Sequence, residues 1–392
     1  MSRTKNLTKR LFVPKHLQYS KWLILILLAV FLVVYGRTVQ SPSLTKTQIV
    51  LGIGIDFIDE TREFEVTTQS AIVAATYGTS DAKTTYNVYT SRGKTVAEAL
   101  DGISRKIGLN ISLAHCNVLF LSISTFSLDP LQLFYPLTGM YSLPEQSILV
   151  CPAISPKEML SKRIGTTVSS ALFLQNTLSN KEGDDGVIRT TVKDYLAATL
   201  SRSHATAMPY VEIQELESQP QNSDGEIKDN FEIILNRAIV TSGTSSFVID
   251  KQRSEILSIY LSSSSNGTLN YTSPIGESVE FKTLKESVSV KAEGRTVFAT
   301  INLSVDLLDV QFVDSDVILT GADQKIKDFA SLLERELEEK LSSLFETAKE
   351  QNIDFLGLQQ KVYERVGRTL EDDCLHTITF VPQVKITVSE AA

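Results

Sequence analysis

The sequence predicts an α+β protein in which three mixed α/β domains, each a sheet with packed helices, follow an N-terminal membrane anchor. Three observations support this class. Strand-like apolar runs alternate with helix patterns in the first half of the chain. A half-buried hairpin pattern precedes a long amphipathic helix in the last third. A charge-free apolar segment lies close to the N-terminus.

Charge divides the 392-residue chain into a small basic head and a large acidic body. Residues 1–37 contain seven Lys or Arg and no Asp or Glu, whereas residues 38–392 contain 31 basic and 46 acidic residues, a net charge of −15. Because phosphate contacts need clustered Lys and Arg, the acidic body excludes nucleic acid as an expected partner. A hydrophobic fraction of 42% excludes global disorder.

The apolar segment WLILILLAVFLVVY is interpreted as a transmembrane signal anchor. At 1.5 Å per residue it spans about 21 Å, less than a ~30 Å hydrocarbon layer, so neighbouring residues would have to complete the span. A cleaved signal peptide is the alternative, although the following GRTVQSPS lacks a cleavage-site pair of small residues. The basic head places the N-terminus in the cytoplasm and the body outside. The anchor residues are Trp22, Leu23, Ile24, Leu25, Ile26, Leu27, Leu28, Ala29, Val30, Phe31, Leu32, Val33, Val34 and Tyr35.

Composition shifts predict six segments. They are a cytoplasmic basic head (1–21), the anchor (22–35), a linker (36–47), a first α/β domain with a helical extension (48–207), a small β-rich domain (208–284) and a third α+β domain (285–392).

The first domain is expected to alternate strands with capped helices. Thr95 and Glu98 form a capping box, in which the Thr hydroxyl accepts from the third helical amide and the Glu reaches back to the cap. Asp129 and Pro130 open a short helix that Pro136 ends. The strand candidates are 49–55, 63–73, 85–90, 117–123 and 148–154.

The later domains are expected to combine short strands with two C-terminal helices. In the long helix over about 324–350, Glu334 and Glu338 are expected to face water, and the apolar stripe is either a core face or a partner-docking face. The chain is expected to end in a strand pair on either side of Pro382. The expected strands are 231–240, 246–249, 256–261, 287–290, 296–306, 376–381 and 384–388, and the second helix covers about 354–369.

No residue pattern makes a persuasive catalytic, cofactor or metal site. Gly52 and Gly54 form a GxG pattern after a strand, which could indicate a dinucleotide site. The pattern fits better a strand that another backbone approaches closely and that ends in a turn at Asp56. His115 and Cys116 could bind metal or act as a nucleophile, or be a strand-edge histidine beside a buried thiol. Cys151 and Cys374 are expected to be buried thiols as well. His376, in the run Asp372–His376, belongs either to a metal site or to a solvated helix end. We therefore expect no enzyme and no cofactor.

The order of several short motifs resembles the Ger(x)C family, the C subunits of bacterial spore germinant receptors. Each motif is weak alone, but their order and spacing cover roughly residues 48–390. The motifs are Val50–Asp56, Phe64–Gln69, Thr95–Leu100, the His-containing strand Leu113–His115 with Val118–Ser122, Ile148–Leu160, Asn236–Val240, Phe247–Asp250, Asn352–Gly357 and Val381–Thr387.

This resemblance implies three mixed α/β domains, no enzymatic activity, and membership of a receptor complex at the spore inner membrane. The implied partners are a multi-pass transporter-like subunit and a third subunit with large soluble domains, which together trigger germination in response to nutrients. Family members usually carry a lipobox cysteine and a tryptophan in the penultimate helix, whereas this chain has no lipobox and its one tryptophan is Trp22.

Other functions remain open on the residues alone. The first alternative is a membrane-anchored envelope protein that binds a ligand or mediates adhesion, which a large apolar pocket would favour. A hydrolase of envelope polymers is a further alternative, and it would need two carboxylates in one cleft.

Overall fold

The computed structural model describes residues 25–31, 46–71, 86–164, 168–179, 187–215, 231–243, 245–261, 267–273, 276–311, 324–367 and 374–389. Residues 25–31 form helix α1, and the rest of the predicted anchor Trp22–Tyr35 lies outside the described residues. In those ranges no helix is both long and apolar enough to cross a membrane. The chain from Gln48 to Ala392 forms one compact unit.

A nine-stranded mixed sheet dominates the first half of this unit. Its order is β11-β10-β9-β6-β5-β1-β2-β3, with β4 paired to β1, while β7 and β8 pair with each other. The strands are β1 (Thr47–Ile58), β2 (Glu63–Ala71), β3 (Tyr86–Gly93), β4 (Asn110–Ser112), β5 (Val118–Leu121), β6 (Ile148–Pro152), β7 (Arg163–Ile164), β8 (Val168–Ser169), β9 (Thr206–Glu215), β10 (Phe231–Ser242) and β11 (Ser245–Ile249).

Helices cover both faces of this sheet, which explains why its central strands read as continuous apolar runs. One face packs against α2, α3 and α6, and the other face packs against α4 and α5. The parallel strands β5 and β6 are joined by the crossover that contains α3. These helices are α2 (Val96–Ile107), α3 (Pro130–Gly139), α4 (Pro156–Ser161), α5 (Ser170–Ser179) and α6 (Val192–Thr199).

A four-stranded sheet of order β12-β13-β14-β15 organises the second half. The β13–β14 hairpin turns at Gly294, whose φ of +63° suits glycine. Alternate residues of β14 from Val297 to Val305 are buried, so the predicted alternation is confirmed. The elements are α7 (Lys251–Tyr260), β12 (Thr268–Thr272), β13 (Ser278–Glu293), β14 (Thr296–Gln311), α8 (Gln324–Gln351), α9 (Leu358–Val366) and β15 (Thr379–Val388).

The apolar stripe of α8 is a core face, because its leucines are buried in the same cluster as β14 and β15. The prediction that Glu334 and Glu338 face water is wrong. Glu338 accepts a hydrogen bond from the Val384 amide at 2.9 Å, and Glu334 accepts from the Ile386 amide at 2.6 Å. Both carboxylates therefore cover the outer edge of β15.

One predicted element type is corrected. Residues 256–261 were expected to be a strand, but they belong mostly to α7, which Asp250 caps by accepting from the Arg253 amide at 2.9 Å. The cap and the helical spacing of buried Leu257 and Tyr260 outweigh the β propensity of this run.

Two prolines do not interrupt their elements as predicted. Helix α3 continues past Pro136 to Gly139, and Met140 donates its amide to the Pro136 carbonyl at 3.0 Å. The expected strand pair around Pro382 is the single strand β15. Pro382 lies two residues before Val384, whose amide points away from β14 toward Glu338. The alternation along the strand therefore gives Pro382 an outward position that needs no amide hydrogen.

Smaller local expectations are also revised. Thr95 accepts from the Glu98 amide at 3.1 Å, but the Glu98 carboxylate accepts from the Lys94 amide instead of the cap residue itself. His115 lies in an exposed turn between β4 and β5, not in a strand. A mixed α/β protein with two main sheets and packed helices is confirmed, whereas the division into three domains stays a prediction.

Candidate functional site at the Asp354 junction

The GxG of β1 is a packing site. A Cβ on Gly54 would approach the Cβ of Pro156 to 2.7 Å, and one on Gly52 would overlap Ala171. The expected close backbone approach is therefore confirmed, since both glycines let α4 and α5 lie directly on the sheet. The expected turn at Asp56 is wrong, because β1 continues to Ile58.

All three cysteines are free and buried. Burial raises the pKa of the Cys116 thiol and of the Cys151 thiol to about 12, so both remain protonated at neutral pH. His376 is exposed in a short 3-10 turn. Among the described residues, no group of three or more His, Cys, Asp or Glu side chains could hold a metal ion.

Asp354 is the acidic side chain that sequence reasoning missed. It is 1% exposed. Its Oδ1 atom accepts from the Leu358 amide at 2.9 Å, and its Oδ2 atom accepts from the Gln359 amide and from the Ser203 hydroxyl, both at 2.6 Å. We call Ser203, Asp354 and residues 358–360 the Asp354 junction.

The local sequence explains how Asp354 reaches this position. Helix α8 ends in a Schellman arrangement, with Asn352 at φ +53° and the Ile353 amide bonded to the Ala348 carbonyl at 2.9 Å. Gly357, at φ +72°, precedes α9 and offers no capping side chain. Asp354 therefore supplies the cap for the first amides of α9.

Burial and hydrogen bonding act in opposite directions on this carboxyl group. Burial raises the pKa of Asp354, and the hydrogen bonds from Ser203, Gln359 and Leu358 lower it. Burial wins, so the pKa is about 6 instead of the ordinary 3.8. Asp354 can therefore change its charge near neutral pH.

Ser203 belongs to the segment between α6 and β9, so the junction connects the first sheet to α9. The Arg202 amide donates to Oε1 of Gln360 at 2.9 Å, and the Arg202 guanidinium lies 4.6 Å from the ring centroid of Tyr363. Backbone, carboxylate and cation–π contacts thus join the same two segments.

The loop before α9 is also attached to the middle and the end of the chain. The Tyr260 hydroxyl donates to the Leu356 carbonyl at 2.9 Å, and the Phe355 ring packs edge-on against Phe247 with centroids 6.0 Å apart. The Cys374 amide donates to Oε1 of Gln359 at 3.3 Å. The loop therefore contacts α7 and β11, and α9 contacts the segment leading to β15.

An open cleft of about 830 Å³ lies beside the junction. Ser203, Gly357 and Gln360 form one wall, and Val288 and Val290 of β13 form another. The cleft is large enough for a small organic molecule.

No sequence signal identifies Ser203 as the partner of Asp354, since 151 positions separate them. The segment Asn352–Gly357 is one of the Ger(x)C-like motifs, and its aspartate followed by a glycine before a helix is a signal for a helix cap.

Two family models match most of the chain. Residues 40–213 match the spore germination protein N-terminal domain, and residues 242–390 match the C-terminal domain described as spore germination B3/GerAC like. The chain belongs to the Ger(x)C family of spore germination proteins. It is a C subunit of a spore germinant receptor, as the motif order predicted.

One solved structure with a similar fold is the crystal structure of the GerBC protein. The TM-score is 0.48 with 11% sequence identity, over 86% of this chain and 96% of that chain. A search of curated proteins finds no match. Ser203 lies inside the first Ger(x)C region and Asp354 inside the second, so the junction connects the two regions.

Proposed function

We propose that this Ger(x)C protein is a non-catalytic subunit of a nutrient receptor at the spore inner membrane. The family match across residues 40–213 and 242–390 carries this proposal. Residues 22–35 anchor the chain as a single pass, and the body lies on the outer side. Its partners are a multi-pass transporter-like subunit and a third subunit with large soluble domains.

The body functions as the predicted three domains, 48–207, 208–284 and 285–392. The Asp354 junction supports a role in relaying a conformational change between them. It joins the first and last of these domains through a buried carboxylate, and it borders a cleft that is lined by residues of both.

Deletion of the gene tests the receptor role. Spores that lack it are expected to lose germination with at least one nutrient while still germinating when the receptor step is bypassed chemically. Affinity purification of the full chain from spore membranes is expected to recover the two partner subunits. Unchanged germination with every nutrient tried, together with recovery of the chain alone, would contradict the proposal.

A second candidate is an envelope protein that binds a small ligand, which the cleft of about 830 Å³ favours. Titration of the purified chain with nutrient mixtures separates the two candidates. Saturable binding without any germination defect in the deletion strain would favour the ligand-binding candidate.

A further inference from the structure

The cleft beside the Asp354 junction carries an excess of positive charge. The charged residues that line it are Arg189, Asp194 and Lys361. Residues 38–392 as a whole carry a net charge of −15. A cleft lined by two basic residues and one acidic residue is therefore a local exception on an acidic body, and its potential favours an anionic occupant.

Arg189 is the basic residue whose charge is left uncompensated. Lys361 already pairs with Oε2 of Glu364 at 3.1 Å. Within the part of the chain that the structure describes, Arg189 has no ion-pair partner, and its buried Nε atom has no hydrogen-bond acceptor. The side chain is half-buried, so its guanidinium has lost part of its hydration. An anion bound to the remaining donors would offset the cost of this desolvation.

The acidic residue of the cleft is engaged in its own helix. Oδ2 of Asp194 accepts from the Thr191 amide at 3.1 Å and from the Thr191 hydroxyl at 2.6 Å. These contacts form the capping box of α6 and hold the carboxylate at the first turn of that helix. Asp194 therefore caps α6 and does not pair with Arg189.

The backbone on both sides of Arg189 is fixed to the first sheet. The preceding residue, Ile188, is 1% exposed. The carbonyl of the following residue, Thr190, accepts from the Leu149 amide at 2.8 Å, and the Thr190 hydroxyl donates to the Ala207 carbonyl at 2.5 Å. The guanidinium thus extends from a well-held segment, which reduces the conformational entropy lost when a ligand binds.

Aliphatic side chains form much of the remaining lining. They come from β13, from α6 and from the residue directly after α7, namely Val288, Val290, Ala197, Ala198 and Leu261. Both valines are half-buried, and Leu261 is 41% exposed. Apolar surface that faces water in a cleft is stabilised when an apolar ligand covers it. The lining therefore combines one unpaired guanidinium with an apolar wall.

We propose that this cleft binds a small carboxylate that carries an apolar group. The carboxylate lies on Arg189, because the planar guanidinium matches carboxylate geometry, and the apolar group lies against Val288 and Val290. A cleft of about 830 Å³ has room for both parts. Arg189 belongs to the first Ger(x)C region and the two valines to the second, so the ligand contacts both regions.

This inference names the ligand class for the ligand-binding candidate above, and it does not depend on the receptor role. Isothermal titration calorimetry of the full chain in detergent tests it, with phenylacetate as the probe and detergent buffer as the blank. Phenylacetamide has the same shape without the charge, and phenethylamine has the opposite charge. Phenylacetate is expected to bind saturably at millimolar concentration or below, and both analogues about tenfold more weakly or worse. Acetate, which lacks the apolar group, is also expected to bind about tenfold more weakly.

Substitutions then test the guanidinium itself. Arg189→Gln is expected to weaken phenylacetate binding about tenfold or more, and Arg189→Lys to retain part of the affinity. Lys193→Gln is the matched control, because Lys193 is exposed on α6 and does not line the cleft, and it should leave binding unchanged. Circular dichroism shows whether each variant is folded. The comparison of the analogues on the native chain does not depend on any variant.

Three results would overturn the proposal: no saturable binding of phenylacetate, equal binding of phenylacetamide, or equal losses in Arg189→Gln and Lys193→Gln. Inorganic phosphate that binds as tightly as phenylacetate would indicate an anion site without apolar selectivity, and it would overturn the proposal as well. Because the receptor role is tested by gene deletion in spores, each of these results on the isolated chain leaves that role intact.

Discussion

Asp354 shows how one buried carboxylate can serve as a helix cap and a tertiary contact at once. It satisfies two amides of α9 and the hydroxyl of Ser203. Gly357 and the amphipathic helix that follows it predict a cap at Asp354, but nothing in the sequence identifies Ser203 as its partner. Long-range partners of this kind depend on the docking of two segments, which local pattern does not encode.

Removing the carboxylate should destabilise the body. Asp354→Ala leaves two amides and one hydroxyl without an acceptor, so the free energy of unfolding should fall by about 2–4 kcal/mol. Asp129→Ala is the matched control, because Asp129 caps α3 from an exposed position by accepting from the Leu131 amide alone. Asp129→Ala should lower the free energy of unfolding by about 1 kcal/mol. Equal losses in urea unfolding would contradict the role assigned to burial.

The raised pKa of Asp354 makes stability depend on pH. The folded state binds this proton more tightly than the unfolded state, so the stabilisation is complete below about pH 4 and is lost as the pH rises through about 6. The loss is at most about 3 kcal/mol. The free energy of unfolding of the native chain, relative to that of Asp354→Asn, should therefore fall between pH 4 and pH 7.5. A constant difference would show that the carboxyl group does not titrate in this range.

At the scale of elements, hydrophobic periodicity was a good guide where one face is buried. The alternation of apolar and polar residues in β14 and the apolar stripe of α8 correctly predicted which face of each element is buried. The strand predicted at 256–261 failed because isoleucine, leucine and tyrosine in a short run fit a strand as well as a helix. The orientation of the Glu334 and Glu338 side chains could not be predicted from the sequence, because it depends on β15 lying beside α8.

Those two glutamates should protect the edge of β15. Four residues of helix advance about 6 Å and two residues of strand about 6.6 Å, so the side chains match alternate edge amides. Replacing both with Ala should lower the free energy of unfolding by about 1–2 kcal/mol and promote self-association. Sedimentation velocity measures the second effect. Glu339→Ala, exposed on the same helix, is the control and should leave the chain monodisperse. Equal behaviour of the two variants would contradict edge protection.

The close packing of α4 on β1 should make Gly54 intolerant of a side chain. Gly54→Ala places a Cβ 2.7 Å from the Cβ of Pro156, and the rigid proline ring cannot easily move away. We therefore expect the free energy of unfolding to fall by about 1–3 kcal/mol. Gly139→Ala is the control, because its Cβ meets nothing within 4 Å in α3, and it should be neutral or stabilising. Thermal unfolding compares them, and a neutral Gly54→Ala would refute the packing role.

At the scale of the whole molecule, a continuous apolar core runs through segments that the sequence assigns to different domains. Residues of β9 and β10 share this core with α8, α9 and the four-stranded sheet. Composition shifts and polar linkers indicate where a chain can be divided, but they do not report how tightly the divided parts pack. The family regions, 40–213 and 242–390, likewise meet across this core and across the Asp354 junction.

The central structural claim is that the Asp354 junction holds the two Ger(x)C regions together. A double-mutant cycle with Ser203→Ala and Asp354→Ala, read by urea unfolding of the full chain at pH 7.5, measures it most directly. Because a hydrogen bond to a charged group contributes about 1.5–3 kcal/mol, we predict a coupling free energy in that range. Additive effects, with a coupling within about 0.5 kcal/mol of zero, would contradict the claim.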